Sequence, residues 1–410
     1  MGDLLAFVSD RLAFVEACAR EGDAVKVRFG PKRALVLSHP DLIREVQVLE
    51  PKHFIRGITG AVMRPIVGEG LLLSEGDTWK RQRRDVQPLF ATDRAAAWVP
   101  HIARATDALL SRWHDGDERD VHREMHRLTL DIAARLFLGI ASGDDGALHP
   151  VLASIIEREL FRTPIPLGPL GRFLRADEER RMLDDLIFGT IAASRSGQPV
   201  GIVGALAQTG ASDREIRDQI MTLLVTAEDT TASALTWIWH VLSQDERVER
   251  AVRDEDAAAG PERPYLAAVL TETLRLYPPV IGEAREAIRE CEIGGVRVRP
   301  GDLVMFSQWV VHRDPRWFER PETFVPERWL DGLEDRLHPF AYFPFGGGRR
   351  VCVGRTLATT IAMTVVPMVL RRFRLCGTPG YRPRIEAVVT PRPRGGLSLR
   401  LRERPAPRAA

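Results

Sequence analysis

Phe345-Gly346-Gly347-Gly348-Arg349-Arg350-Val351-Cys352-Val353-Gly354 is a glycine-rich loop that leads straight into an apolar run, Leu357 to Leu370. Three consecutive glycines let the backbone turn so that amide N–H groups face one sulfur, and the positive end of the following helix dipole favours its ionised form. A thiolate placed this way is suited to hold a metal. A buried cysteine in a turn is the plainer reading of the same residues, since free cysteine commonly packs as a small apolar group. On these residues alone both readings stand.

Outward from this loop, the chain reads as one domain. Its 410 residues with 44% hydrophobic content can bury a large core, and no linker, repeat or low-complexity run divides it before Pro391. We therefore expect a single domain over residues 1–401 and a Pro/Arg/Ala tail over 402–410 outside the packed fold. The four cysteines, Cys18, Cys291, Cys352 and Cys376, are far apart and lack CxxC spacing, which argues against a disulfide framework or a zinc finger and fits a reducing cytoplasm. Leu4 to Arg20 is interrupted by Ser9, Asp10, Arg11 and Glu16, so it reads as one amphipathic helix packed on the domain and not as a membrane anchor.

Charge is unevenly spread. The overall balance is +2, but Phe345 to Ala410 carries 14 arginines and 2 glutamates, a local +12 that leaves −10 for the rest. This asymmetry predicts a docking face for an acidic partner. Nucleic acid is a poor candidate, because aromatic residues do not interleave with these arginines.

Ser212-Asp213-Arg214-Glu215 has the form of a capping box, and the apolar run behind it continues without glycine or proline to about Leu242. At 1.5 Å per residue such a helix would reach roughly 45 Å, enough to cross a domain. Its middle breaks the pattern with Thr226-Ala227-Glu228-Asp229-Thr230-Thr231. Thr226 and Thr230, four apart, share a face with Asp229 beside it. The hydroxyls either bond back to carbonyls one turn earlier or serve chemistry at the helix centre. Further on, Tyr265 to Tyr277 reads as a helix ended by Pro278-Pro279, with Glu272 and Arg275 three apart on one face.

Taken in order, Trp79-Lys80-Arg81-Gln82-Arg83, the acid–alcohol pair Asp229-Thr230, Glu272-Thr273-Leu274-Arg275, Phe324-Val325-Pro326-Glu327-Arg328-Trp329 and the Cys352 loop resemble the ordered motifs of the cytochromes P450. The resemblance spans nearly the whole chain, from Asp23 to about Leu401. It implies a mainly α fold with a small β lobe and a long central helix over a haem. Strands are expected within Val25 to Val36 and at Val296 to Val298, Leu303 to Phe306 and Val388 to Val389.

The resemblance also implies a site. Cys352 is the implied iron ligand of haem b (iron protoporphyrin IX), with Phe345, Gly346 and Gly354 shaping its loop. Two propionates need cationic or N–H partners once desolvated, and Trp79, Arg83, Arg285 and Arg350 fall at the matching positions. Glu272, Arg275 and Arg328 form the implied structural cluster behind the cysteine loop. Asp229 is the implied proton-relay acid and Thr230 its hydroxyl partner, feeding protons to dioxygen while water is excluded. Val225, Thr226, Val280, Ile281 and the loop Ile58 to Val67 would line a largely apolar substrate pocket. Where this chain has Thr226 and Ala227 the family usually has smaller residues, which permit a local opening of the helix.

The implied activity is a monooxygenase that inserts one oxygen atom from O2 into a hydrophobic small molecule, such as a natural product or a lipid-like compound. No flavin or iron–sulfur motif is present, so electrons from NAD(P)H are expected to arrive through a separate reductase and an acidic ferredoxin-type donor. Lys80, Arg81, Arg84, Arg349, Arg371 and Arg372 are the candidate docking cations. A peroxide-driven haem enzyme and a non-catalytic binding module of the same fold are the alternatives.

Overall fold

The long helix runs from Asp213 to Gln244, 32 residues, in a computed structural model that describes residues 2–49, 51–140, 177–258, 263–387 and 390–405. Its start is the reciprocal box expected of the sequence. The Glu215 carboxylate accepts the Ser212 N–H at 2.9 Å, and the Ser212 hydroxyl accepts the Glu215 N–H at 3.3 Å. Its end is set by Asp245, which caps the next helix, Glu246–Ala257, by accepting the N–H groups of Arg247 and Val248.

Helices dominate and the sheets are small, with two to five strands in each. The chain forms two compact units. One comprises Met1–Thr59, Ser233–Cys352 and Gly377–Leu397; the other comprises Gly60–Ala232, Val353–Cys376 and Ser398–Ala410.

The first unit is built on a five-stranded sheet in the spatial order Ala24–Phe29, Lys32–Leu37, Leu303–Phe306, Glu283–Ala287, Phe54–Ile55. The pairing of Lys32–Leu37 with Leu303–Phe306 is parallel and the other three are antiparallel. Successive strand residues point to opposite faces, so Leu35, Leu37, Val304 and Phe306 pack on one side while Ala34, Val36 and Leu303 pack on the other. The first of these clusters also takes in Phe340 and Phe343, just ahead of the cysteine loop, and so gives that loop an apolar footing. The last turns of the long helix join the same unit, where Ser233 Oγ and Trp237 Nε1 both donate to the Pro391 carbonyl, at 2.9 and 2.8 Å.

In the second unit Ala95–Leu110 packs along Arg355–Arg372 and against Val121–Leu138. Asp120 caps Val121–Leu138 by accepting the Arg123 N–H. A three-stranded sheet, ordered Glu118–Asp120, Ser398–Glu403, Phe373–Cys376, closes one end of this unit.

Three expectations change or fall away. The N-terminal segment is two helices, Gly2–Ser9 and Arg11–Glu21, and not one. Asp10 separates them because its carboxylate serves better as a cap, accepting the Ala13 N–H at 3.0 Å, than inside a helix. The final strand carries order to Glu403, paired opposite Phe373, and the Arg404 N–H donates to the Arg372 carbonyl at 2.7 Å, so these residues belong to the packed sheet and not to a tail. Val388 and Val389 lie outside the described residues; the flanking strands Ile385–Ala387 and Pro391–Pro393 pair with each other.

Candidate active site

The cysteine loop is shaped by close approaches that only glycine permits. Gly346 and Gly348 have φ of +71° and +61°. A Cβ on Gly347 would fall 2.3 Å from the Phe340 ring, and one on Gly348 would fall 2.4 Å from the Gln47 carbonyl oxygen. After a single 3-10 turn, Gly348–Arg350, the Cys352 N–H donates back to the Phe345 carbonyl at 2.9 Å. Cys352 is exposed, whereas Cys18 is buried, and burial pushes the Cys18 thiol up. Of the four cysteines, Cys352 alone is exposed; Cys291 and Cys376 are half-buried.

Behind the loop, the Glu272 carboxylate collects five N–H donors. Arg275 binds it twice, through Nε at 2.9 Å and a terminal nitrogen at 2.8 Å, and Arg328 Nε adds a bond of 3.2 Å. The Val325 N–H and Trp329 Nε1 complete the set at 2.9 and 2.8 Å. Glu272 and Arg275 side chains are 0% exposed. A buried carboxylate is tolerated because opposite charge and hydrogen bonds replace its lost hydration. Burial is the chief influence on Arg328 and pulls its guanidinium below the ordinary value.

Sequence reasoning named Glu272, Arg275 and Arg328 but missed Trp329 and His312. Arg275 also donates to the carbonyls of His312 at 2.8 Å, Pro321 at 2.6 Å and Thr323 at 3.1 Å. The His312 ring in turn accepts the Phe343 N–H through Nε2 at 3.0 Å. A continuous chain of bonds therefore links Glu272 to the residue two positions ahead of Phe345. Burial drives His312 down to about 3, with Arg275 and Arg313 adding to the effect, so the ring is neutral and free to accept. A lone histidine after an apolar run carries no sequence signal of this role.

Of the expected propionate partners, Arg285 is buried beside the loop and donates to Glu283 at 2.9 Å. Arg56, not foreseen, donates to the same oxygen at 3.1 Å, and Gln308 reaches the other at 3.2 Å. Burial alone would raise the Glu283 carboxyl, but Arg285 and then Arg56 reverse this and hold it below the ordinary range. Two guanidinium groups thus converge on one carboxylate oxygen, a cationic setting of the kind that receives cofactor carboxylates. Arg350 is half-buried in the same unit. In the other unit Trp79 and Arg83 share a face of the helix Gly76–Val86, with Trp79 buried and Arg83 half-buried and donating to Gln87 at 2.9 Å.

The long helix is buried from Ile216 to Leu242 except at Thr226, Ala227 and Thr230. These lie within one turn and open a single patch midway along an otherwise covered rod. Both hydroxyls bond back, Thr226 to the Thr222 carbonyl and Thr230 to the Thr226 carbonyl, each at 2.7 Å. The helix stays regular here, with Thr226 and Ala227 producing no local opening. A hydroxyl that donates to its own helix keeps its oxygen lone pairs, so Thr230 can still accept a hydrogen bond. Asp229 and Glu228 are buried. His126, on Val121–Leu138, donates through Nδ1 to Glu228 Oε1 at 2.6 Å and places Nε2 3.9 Å from Asp229 Oδ1.

Among the expected substrate-lining residues, Val225 is buried, while Val280 and Ile281 are half-buried just ahead of the strand Glu283–Ala287. The Ile281 carbonyl is held by the Ser307 hydroxyl at 2.6 Å. Ile58 to Val67 is a helix and not a loop. Two expected docking cations are engaged within their own unit, Lys80 with Asp77 at 2.7 Å and Arg81 with Glu215 at 2.5 Å.

Residues 2–157 and 178–397 match the family described as Cytochrome P450. The chain is 33% identical to cyclooctat-9-en-7-ol 5-monooxygenase of Streptomyces melanosporofaciens, over 93% of this chain and 88% of that protein. It is 28% identical to pentalenene oxygenase of Streptomyces avermitilis, over 96% and 93%. Among solved structures, the retinoic acid-bound cyanobacterial CYP120A1 superposes with a TM-score of 0.86 at 27% identity, covering 95% of this chain and 94% of that one.

The chain belongs to the cytochrome P450 family, and it is a monooxygenase of the oxidoreductase class, with haem as the cofactor that the family implies. Within the first unit, an exposed cysteine on a loop shaped by glycines and the buried Arg285–Glu283–Arg56 cluster fit that group. Among the described residues no helix is long and apolar enough to cross a membrane.

Proposed function

We propose that the chain inserts one oxygen atom of O2 into a cyclic terpenoid or similar hydrophobic small molecule, using electrons that a separate NAD(P)H-dependent reductase passes through an acidic ferredoxin. The observation that carries this reading is Cys352, exposed on a loop braced through Phe343, His312 and Arg275 onto Glu272. Relatives named for oxidation of cyclooctat-9-en-7-ol and pentalenene support the substrate class.

Haem b, when bound, supplies the redox chemistry of oxygen activation and the thiolate of Cys352 tunes it electronically. The rest falls to side chains. Phe345, Gly346 and Gly354 shape the pocket for the sulfur, and Arg285, Arg350, Arg83 and Trp79 hold the propionates. Asp229 holds a proton in a site closed to bulk water, and Thr230 accepts a hydrogen bond that directs it toward dioxygen. Val225, Thr226, Val280 and Ile281 orient an apolar substrate, with the Thr226 hydroxyl adding one polar contact.

Two measurements test this. The reduced, haem-loaded protein under carbon monoxide should give the absorption band of thiolate ligation, and Cys352→Ser should abolish it. A titration of cyclic terpene alcohols, cyclooctat-9-en-7-ol among them, should displace water from ferric iron and shift its spin state. A fully loaded protein without the thiolate band would end the reading, and a flat response to every terpenoid alongside a response to fatty acids would remove the terpenoid assignment.

A further inference from the structure

The long helix carries two adjacent buried carboxylates, and a single imidazole reaches both. His126 Nδ1 bonds Glu228 at 2.6 Å, while Nε2, the other ring nitrogen, lies 3.9 Å from Asp229. The contact between the two helices is fixed a turn away, where the Thr129 hydroxyl lies 3.2 Å from the Glu228 carbonyl. Facing His126 are Glu228 and Asp229 from the long helix and, among groups on its own helix, His122, whose ring centroid is 4.5 Å away. Glu228 and Asp229 side chains are 6% and 8% exposed, whereas that of His126 is 21% exposed. The imidazole is therefore the most exposed member of the set, although its Nε2 is itself buried.

We propose that His126 is a positioning and proton-relay residue that recharges Asp229 from solvent. This rests on the reading of Asp229 as the proton-holding acid. A buried acid that has given up its proton is left as a carboxylate and must be reprotonated before it can act again. Histidine is the side chain that takes and gives protons near neutral pH. In the step, a small side-chain rotation closes the gap and imidazolium Nε2 passes its proton to Asp229 Oδ1; the ring, left neutral with its Nδ1 proton on Glu228, takes a replacement proton at Nε2 from water when the side chain swings that buried nitrogen outward, with no electron moved. Glu228 fixes the ring orientation through Nδ1, so that Nε2 faces Asp229.

The test uses the haem-loaded protein with a plant-type ferredoxin and its reductase, following NADPH-driven dioxygen reduction, and compares this with hydrogen peroxide-driven oxidation of guaiacol. His126→Gln and His126→Phe should slow the dioxygen reaction about tenfold or more, as loss of a proton-transfer group does. They should also enlarge its solvent isotope effect, flatten its pH profile and leave the peroxide reaction unchanged. Independently of turnover, NMR titration of the His126 ring should move to lower pH in Asp229→Asn. Wild-type dioxygen rates in both His126 variants, with Asp229→Asn slowed, would overturn the relay alone. A wild-type rate in Asp229→Asn would overturn the assignment of the acid and the relay with it. A His126 titration indifferent to Asp229→Asn would overturn the coupling directly.

Discussion

The ring of His312 accepts the main-chain N–H of Phe343 at 3.0 Å, and through this bond the buried Glu272–Arg275 pair holds the start of the cysteine loop. A neutral imidazole is needed, and burial enforces it by pushing the ring to about 3 from its ordinary 6.5. The unfolded chain binds a proton on this histidine below pH 6.5 that the folded protein refuses. Its contribution to stability is thus complete above about pH 6.5 and is lost as pH falls toward about 3, at a slope of roughly 1.4 kcal/mol per pH unit. Chemical denaturation at a series of pH values should show His312→Gln with a slope shallower by about one proton across that window.

Substitutions in the glycine run should separate by what they strike. Gly347→Ala meets the Phe340 ring, which can be trimmed, so Phe340→Leu should restore part of the stability and haem content that Gly347→Ala removes. Gly348→Ala meets the Gln47 main chain at a left-handed φ, and no single side-chain change relieves it. Haem content per purified chain and thermal midpoint for the three variants check this.

Trp329 is a donor to Glu272 that leaves no charge behind when removed. Trp329→Phe should cost about 1–3 kcal/mol, the penalty of one unmet bond to a buried ion. Glu272→Gln leaves Arg275 buried without its counter-charge and should cost about 3–5 kcal/mol and release the loop. Urea midpoints give the order, and a disappearing thiolate band in Glu272→Gln alone would mark the loop's release.

On the long helix, Thr230→Ala should lower product formed per NADPH and raise hydrogen peroxide release several-fold, because the accepting oxygen is gone. Thr226→Ala should leave the thermal midpoint nearly unchanged, since the lost bond to the Thr222 carbonyl is offset by alanine's better helix propensity. It should nevertheless shift the affinity for terpene alcohols. Equal coupling in wild type and Thr230→Ala would contradict the role given to that hydroxyl.

What the sequence disclosed was local chemistry at fixed spacing. The box at Ser212 and Glu215, the Glu272–Arg275 spacing and the three glycines each state a geometry that neighbours along the chain must satisfy, and the structure holds each of them. Contacts between distant segments were not legible. Nothing in the strings around Arg56, His126 or Trp329 announces the carboxylate it meets, because those partners lie far away in the chain and are brought near only by packing. Asp10 misled for the opposite reason: a helical pattern persists across it, and only its own competition for backbone N–H groups divides the helix.

The five donors around Glu272 come from protein side chains and backbone, drawn from two separated stretches of the chain, Arg275 and 325–329. The ordering entropy of the cysteine loop is therefore met during folding and is not charged against cofactor capture. Porphyrin removed under mild conditions should find its seat ready on return, which makes this scaffold suited to exchange of the native macrocycle for synthetic ones.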